Sequence, residues 1–160
     1  MKILNPMKIA LEEAKQAGLM GEVPVGAVII DKNKNLIAKA RNLVESLNDA
    51  TAHAEILAIK EASLFLNNWR LIDCEIYISL EPCAMCASAI EKARLKRVYF
   101  GSEDRKGGAI YNGPKIFDQK TCHHKPEVYD GILANESRKL LQSFFQDIRK
   151  KKKYYERRKH

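Results

Sequence analysis

Two thiols and one imidazole in this chain have the types and the placement to hold a metal ion. Cys83 and Cys86 stand three positions apart in Leu80-Glu81-Pro82-Cys83-Ala84-Met85-Cys86, and His53 stands thirty positions before Cys83 in Thr51-Ala52-His53-Ala54-Glu55. Sulfur and imidazole nitrogen suit a borderline-soft divalent ion such as Zn2+, and three protein ligands leave one tetrahedral position open for water. An open position implies catalysis. Glu55 follows His53 by two residues, a spacing that does not stack side chains on a helix, so it reads as a carboxylate off the metal that moves protons to and from the water.

The alternatives for such a set are a structural staple and a redox pair. A staple would want a fourth protein ligand, and a redox Cys-x-x-Cys would not need His53. Taken together, His-x-Glu and Pro-Cys-x-x-Cys match the signature of zinc nucleobase deaminases.

Those residues need elements to carry them. Glu75 to Leu80 alternates apolar and polar residues and reads as a strand that ends just before the site. Pro82 suits the first turn of a helix running to about Ala93, which puts Cys83 and Cys86 on one face near its N-terminus, where the dipole favours thiolate. Asn48, Asp49 and Thr51 are N-cap candidates for a second helix, with His53 in its first turn and its end near Ser63.

Upstream, an amphipathic helix starts at Asn5-Pro6 and stops at Gly18. An apolar strand over Val23–Ile30, a turn over residues 31–35 and a strand over Leu36–Asn42 then form an antiparallel hairpin. Gly26 reads as a close approach of strand and helix, with room for a ligand as the alternative. Asn42 on its own is a turn residue at a strand end, able to bond a substrate hydroxyl. Trp69 reads as a packed anchor.

Downstream lie a strand over Arg97–Gly101, a charged loop over Ser102–Gly108, a turn at Tyr111–Pro114 and a short strand at Glu127–Tyr129. A final helix over Asn135–Ile148 has Leu140, Leu141, Phe144, Phe145 and Ile148 as a buried stripe, with a stacking surface for a base as the other use of one Phe. His123 and His124 read as surface or RNA contacts, because a fourth ligand would close the metal site. Helices between successive strands make this half of the sheet parallel, and a three-layer α/β/α sandwich with a mixed central sheet follows.

At 160 residues the chain is one domain of ordinary size. Its formal charge of +8 is concentrated at one end: residues 149–160 carry eight Lys and Arg against Glu156, a net of +7, which leaves +1 for residues 1–148. The expected organisation is therefore a catalytic domain over 1–148 and a basic tail over 149–160 that extends the last helix. Such a tail is a hold on a polyanion, with a frayed, solvated helix end as the bland alternative. Cys74 and Cys122 are left over from the metal set, no signal peptide is legible, and Lys8, Glu12, Glu13 and Lys15 interrupt the first apolar segment. Those features imply a reducing, cytoplasmic setting without a membrane partner.

Pro24-Val25-Gly26-Ala27, Thr51-Ala52-His53-Ala54-Glu55, Trp69-Arg70-Leu71, Leu80 to Cys86, Lys106-Gly107-Gly108-Ala109 and Phe144-Phe145 with Arg149 together resemble bacterial tRNA-specific adenosine deaminases, from about Met7 to Arg149. The resemblance implies a cytidine-deaminase-like fold and a homodimer that converts adenosine to inosine at the wobble position of the tRNA anticodon stem-loop. It implies one Zn2+ per subunit on His53, Cys83 and Cys86, Glu55 as proton shuttle, Asn42 on the ribose, Val25 and Ala54 around the base, and Asp104, Lys106, Phe144, Phe145 and Arg149 on the tRNA. The family usually follows Lys-Gly-Gly-Ala with Gly-Ser-Leu or Gly-Ser-Met. Here Ile110-Tyr111-Asn112-Gly113-Pro114 stands instead, so contacts in that segment are expected to differ. The rival readings are a deaminase of free guanine or cytosine compounds and a non-catalytic RNA-binding protein with structural zinc.

Overall fold

Alternation along the strands decides the layers. The computed structural model describes residues 4–158, so the Lys159 and His160 end of the basic tail lies outside the described residues. Five strands among them form one sheet in the order β2-β1-β3-β4-β5: β1 (Gly26–Ile30), β2 (Leu36–Arg41), β3 (Glu75–Leu80), β4 (Arg97–Ser102) and β5 (Glu127–Tyr129). β1 runs antiparallel to β2 and β3, whereas β3, β4 and β5 are parallel, so the sheet is mixed. Ala27, Ile29, Ile76, Ile78, Val98 and Phe100 face α3 (Ala54–Leu66) and α4 (Ala84–Lys92). Their alternates Val28, Ile30, Tyr77 and Tyr99 face α1 (Pro6–Leu19) and the base of α5 (Ala134–Arg157). Each large apolar side chain so enclosed contributes about 1.5–3 kcal/mol of burial, and the expected α/β/α sandwich results.

Gly26 is where α1 and the sheet meet most closely. A Cβ there would lie 1.9 Å from Ala10 O and 2.7 Å from Ala14 N, so backbone packs on backbone and no larger residue fits. β1 starts at Gly26 and not at Val23 because Val25 N–H turns onto Val23 O (2.8 Å), while Asn42 N–H donates to Val25 O (3.0 Å). That arrangement brings the start of β1 and the end of β2 beside the carboxyl ends of β3 and β4.

Several expectations need correction. A short helix, α2 (Val44–Leu47), lies between β2 and α3, and Asn48 closes it in the left-handed conformation. Asp49 accepts from the Thr51 N–H and hydroxyl. None of Asn48, Asp49 and Thr51 is the N-cap of α3; His53 is. Trp69 is 55% exposed, not packed. Asn67 ends α3 with positive φ, the Asn68 side chain accepts from Arg70 N–H, and this turn throws the indole outward under the Arg70 guanidinium, 4.1 Å from its ring centroid.

The last helix differs most in its burial: it runs on to Arg157 through the basic residues expected to extend it, and Ser137 is its only buried residue. Ser137 Oγ donates to Ser79 O, which fastens the first turns to the sheet. The later turns are covered less and less, with Leu140, Leu141 and Phe144 half-buried and Phe145 and Ile148 exposed, so this stripe is not core.

Candidate active site

Two helix starts meet at the carboxyl ends of the parallel strands. β3 delivers the chain through Glu81 and Pro82 to Cys83, the N-cap of α4 with φ −71° and ψ 175°. His53 is the N-cap of α3 in the same extended backbone, φ −70° and ψ 151°. An N-cap side chain ordinarily accepts from the helix's own first N–H groups. Neither of these does so, and both side chains are free to point at the gap between the helices. His53 therefore precedes the first turn of its helix and Pro82 lies outside α4, each slightly upstream of where periodicity puts it.

The donor atoms converge. His53 Nδ1 is 3.6 Å from Cys83 Sγ and 3.5 Å from Cys86 Sγ, and the three form the one group among the described residues with metal-ligand character, all donors within 4.8 Å of each other. Tetrahedral zinc at ordinary Zn–N and Zn–S lengths holds N and S donors about 3.5 Å apart, so the set fits that ion as it stands. The donors also share protons. A hydrogen bond from Cys86, reinforced against burial by His53, pushes Cys83 down to about 4. The same bond and burial push Cys86 well above the ordinary thiol range, and the bond to Cys83 raises His53. A divalent ion held by these three donors would take the place of those protons.

Glu55 is buried but stays outside that group. Its Oε2 lies 3.4 Å from Cys86 Sγ. Burial pushes its carboxyl up and the Cys83 thiolate adds to this, against its own backbone N–H and His53. A carboxyl beside the donors but outside their group is placed to carry a proton.

Above the donors is a cavity of about 450 Å³, whose wall includes Val25, Asn42, His53, Ala54, Glu55 and Cys83. The Asn42 amide donates to Val23 O and accepts from Val44 N–H, both at 3.3 Å, which fixes it and leaves one N–H and one lone pair for a ligand. Phe144 and Phe145 line the same cavity from the overhanging helix, edge to face at 5.4 Å. The expectation that both are core fails here; Phe145 is 42% exposed. An adjoining groove of about 810 Å³ holds Lys106 and Arg149, with Arg105 and Arg138. Asp104 borders both spaces, and its Oδ1 accepts from Lys106 and Gly107 N–H, so it shapes the loop.

His123 and His124 stay outside the site. His123 N–H donates to Glu91, and the His124 ring lies 2.7 Å from Leu95 O, bound to backbone and unavailable as an RNA contact through that nitrogen. Two residues that matter were not legible. Glu22, buried, accepts from Glu45 N–H and from the N–H and hydroxyl of Ser46, holding α2 against the cavity. Burial opposes its charge, yet those donors keep its carboxyl below the ordinary range. Glu81 similarly binds a loop. Each is a lone acid in a short connection, where periodicity is silent.

A sandwich that sets an imidazole, a thiol and a carboxylate in the floor of one cavity, with a second thiol buried against them, defines the class of zinc-dependent nucleobase deaminases. The chain belongs to the family of the cytidine and deoxycytidylate deaminase zinc-binding region, which it matches over residues 2–102. It is 47% identical over 143 residues to the tRNA-specific adenosine deaminase of Agrobacterium fabrum, covering 89% of this chain and 93% of that one. To the tRNA-specific adenosine deaminase of Bacillus subtilis it is 44% identical over 147 residues, 92% of this chain and 91% of that one. Among solved structures, one from a study of A-to-I editing by tRNA:A34 deaminases superposes with a TM-score of 0.83 at 47% identity, over 85% of this chain and 98% of that chain.

Replacing a candidate ligand and replacing the neighbouring carboxylate should separate cleanly. Cys83→Ser is expected to lose zinc on dialysis, whereas Glu55→Ala retains it at the wild-type ratio while turnover falls by about 10²–10⁴; metal analysis beside a turnover assay reads both, and loss of zinc from Glu55→Ala would make that carboxylate a ligand.

Proposed function

We propose that this chain hydrolytically deaminates adenosine to inosine at the wobble position of a tRNA anticodon, with one zinc ion per subunit held by His53, Cys83 and Cys86. The observation that carries this reading is the continuity of the two spaces. The cavity over the donors shares Val23, Leu80, Asp104, Gly107 and Phe145 with a groove that bears Arg105, Lys106, Arg138 and Arg149. A base can leave its stack for the first while its backbone lies along the cations of the second. The curated relatives that match most of this chain are named for the same activity.

The chain's own residues divide the work. Zinc supplies a water acidic enough to be a nucleophile near neutral pH. Asn42 holds the ribose, while Val25 and the backbone at Ala54 bound the purine. Phe144 and Phe145 offer faces to neighbouring bases. Glu55 takes a proton from the attacking water and gives it to the ring nitrogen beside the amino-bearing carbon. It then takes the second proton from the oxygen now on that carbon and passes it to the amino group, which leaves as ammonia while the oxygen stays behind as a carbonyl.

The basic end supports an RNA partner over a free base. Arg149 to Lys153, Arg157 and Arg158 prolong α5 beyond the body, on the helix that also walls the cavity. The four cysteines are free, and no helix among the described residues is long and apolar enough to cross a membrane; a cytoplasmic enzyme is consistent with both. For the homodimer, the support is an apolar surface at the end of α3: Leu64, Phe65, Trp69 and Ile72 are all more than half exposed.

The test of the function is a deamination assay on a tRNA anticodon stem-loop beside free guanine, cytosine and adenosine. Inosine in the stem-loop alone is expected; turnover of a free base alone would move the chain to the small-molecule deaminases. Ending the chain after Ile148 should raise KM for tRNA and flatten its salt dependence by roughly 0.7–0.9 in log–log slope for each phosphate that the tail had neutralised, and an unchanged slope would leave the tail without an electrostatic part. Sedimentation should give twice the 18.2 kDa chain mass, and Phe65→Glu with Trp69→Glu should return it to a monomer.

A further inference from the structure

Glu81 stands between the end of β3 and the ligand turn, buried, with no cation paired to it among the described residues. Its two carboxylate oxygens instead accept five N–H groups from a single loop. Oε1 takes the Asp104 backbone at 3.1 Å and the Asn112 side chain at 2.8 Å. Oε2 takes three successive backbone groups, Ile110 and Tyr111 at 3.1 Å and Asn112 at 3.2 Å. Consecutive N–H groups on one oxygen form an anion nest, and charge-assisted bonds of this kind are about twice as strong as neutral ones. Ala109 N–H donates to Pro82 O at 2.9 Å, a second tie between the same two segments. Gly108 leaves room for the carboxylate: a Cβ there would stand 2.4 Å from it.

The loop so held is the one that faces substrate. Asp104 and Gly107 form part of the cavity wall, and Arg105 and Lys106 line the adjoining groove. It also includes Ile110-Tyr111-Asn112, whose three N–H groups on Oε2 are backbone atoms that do not depend on the side chains there. We propose that Glu81 is a positioning residue for substrate: its carboxylate latches the loop of residues 103–113 onto the turn that carries Cys83, so that the RNA-facing wall and the metal donors are set as one rigid piece. This rests on the RNA reading above.

The carboxylate is specific to the task. A glutamine offers one acceptor oxygen and one NH2, so whichever way its amide turns, donors face donors on one side and the loop comes loose there. In zinc-loaded Glu81→Gln, hydrogen exchange of the Asp104, Ile110, Tyr111 and Asn112 amides should quicken by about tenfold or more. KM for the anticodon stem-loop should rise about tenfold while kcat per bound zinc stays within about twofold. Gly108→Ala should give the same pattern by pressing on the latch from the loop side, and it decides the matter if Glu81→Gln does not fold. Wild-type protection of those amides, or a fall in kcat per zinc at unchanged KM, overturns the proposal. If the wild-type enzyme leaves the stem-loop unmodified, the RNA reading fails by itself and the exchange data alone decide the latch.

Discussion

Two helices begin at the same point in space, and the rest of the molecule is arranged around that coincidence. His53 and Cys83 occupy the N-cap positions of α3 and α4, with Cys86 one turn into α4. The positive ends of two helix dipoles thus surround the donors, which favours thiolate over thiol where a cation is to be held. The arrangement depends on the sheet. β3 must end where α4 starts, and the β1–β2 hairpin must return the chain to the same edge so that α3 can start there as well. Gly26 permits this by letting α1 press directly on β1.

The clustering of His53, Cys83 and Cys86 and the order of layers were legible in the sequence because each leaves a pattern. Strand alternation separates Val28 and Tyr77 from Ile29 and Ile76, and the ligand residues are of types with few other reasons to recur at such spacing. The exact helix starts were not legible. The usual cap residues Asn48, Asp49 and Thr51 were present but served a different helix end and a turn, while the true caps, His53 and Cys83, make no side-chain capping bond and lie in the donor cluster instead. The stripe on α5 misled for a related reason. Period 3.6 reports that one face is apolar and says nothing of what covers it; here the face of Phe144 and Phe145 is the roof of a cavity.

Buried acids that no periodicity announces do much of the organising. Glu22 holds α2, Glu81 holds the loop after β4, and Glu75 joins Lys34 and Arg97 at the opposite end of the sheet. The first two meet N–H groups and the third meets cations. Near the donors, partners without net charge fix the walls while adding no cation that would compete with or repel a metal.

The overhang of α5 gives the fold a dimension it can vary freely. Only the first turns of that helix are tied to the sheet, at Ser137. Turns gained or shed at its far end, where every residue from Arg149 to Arg158 is exposed, leave each layer beneath undisturbed, so the helix's reach is set independently of the sheet it springs from.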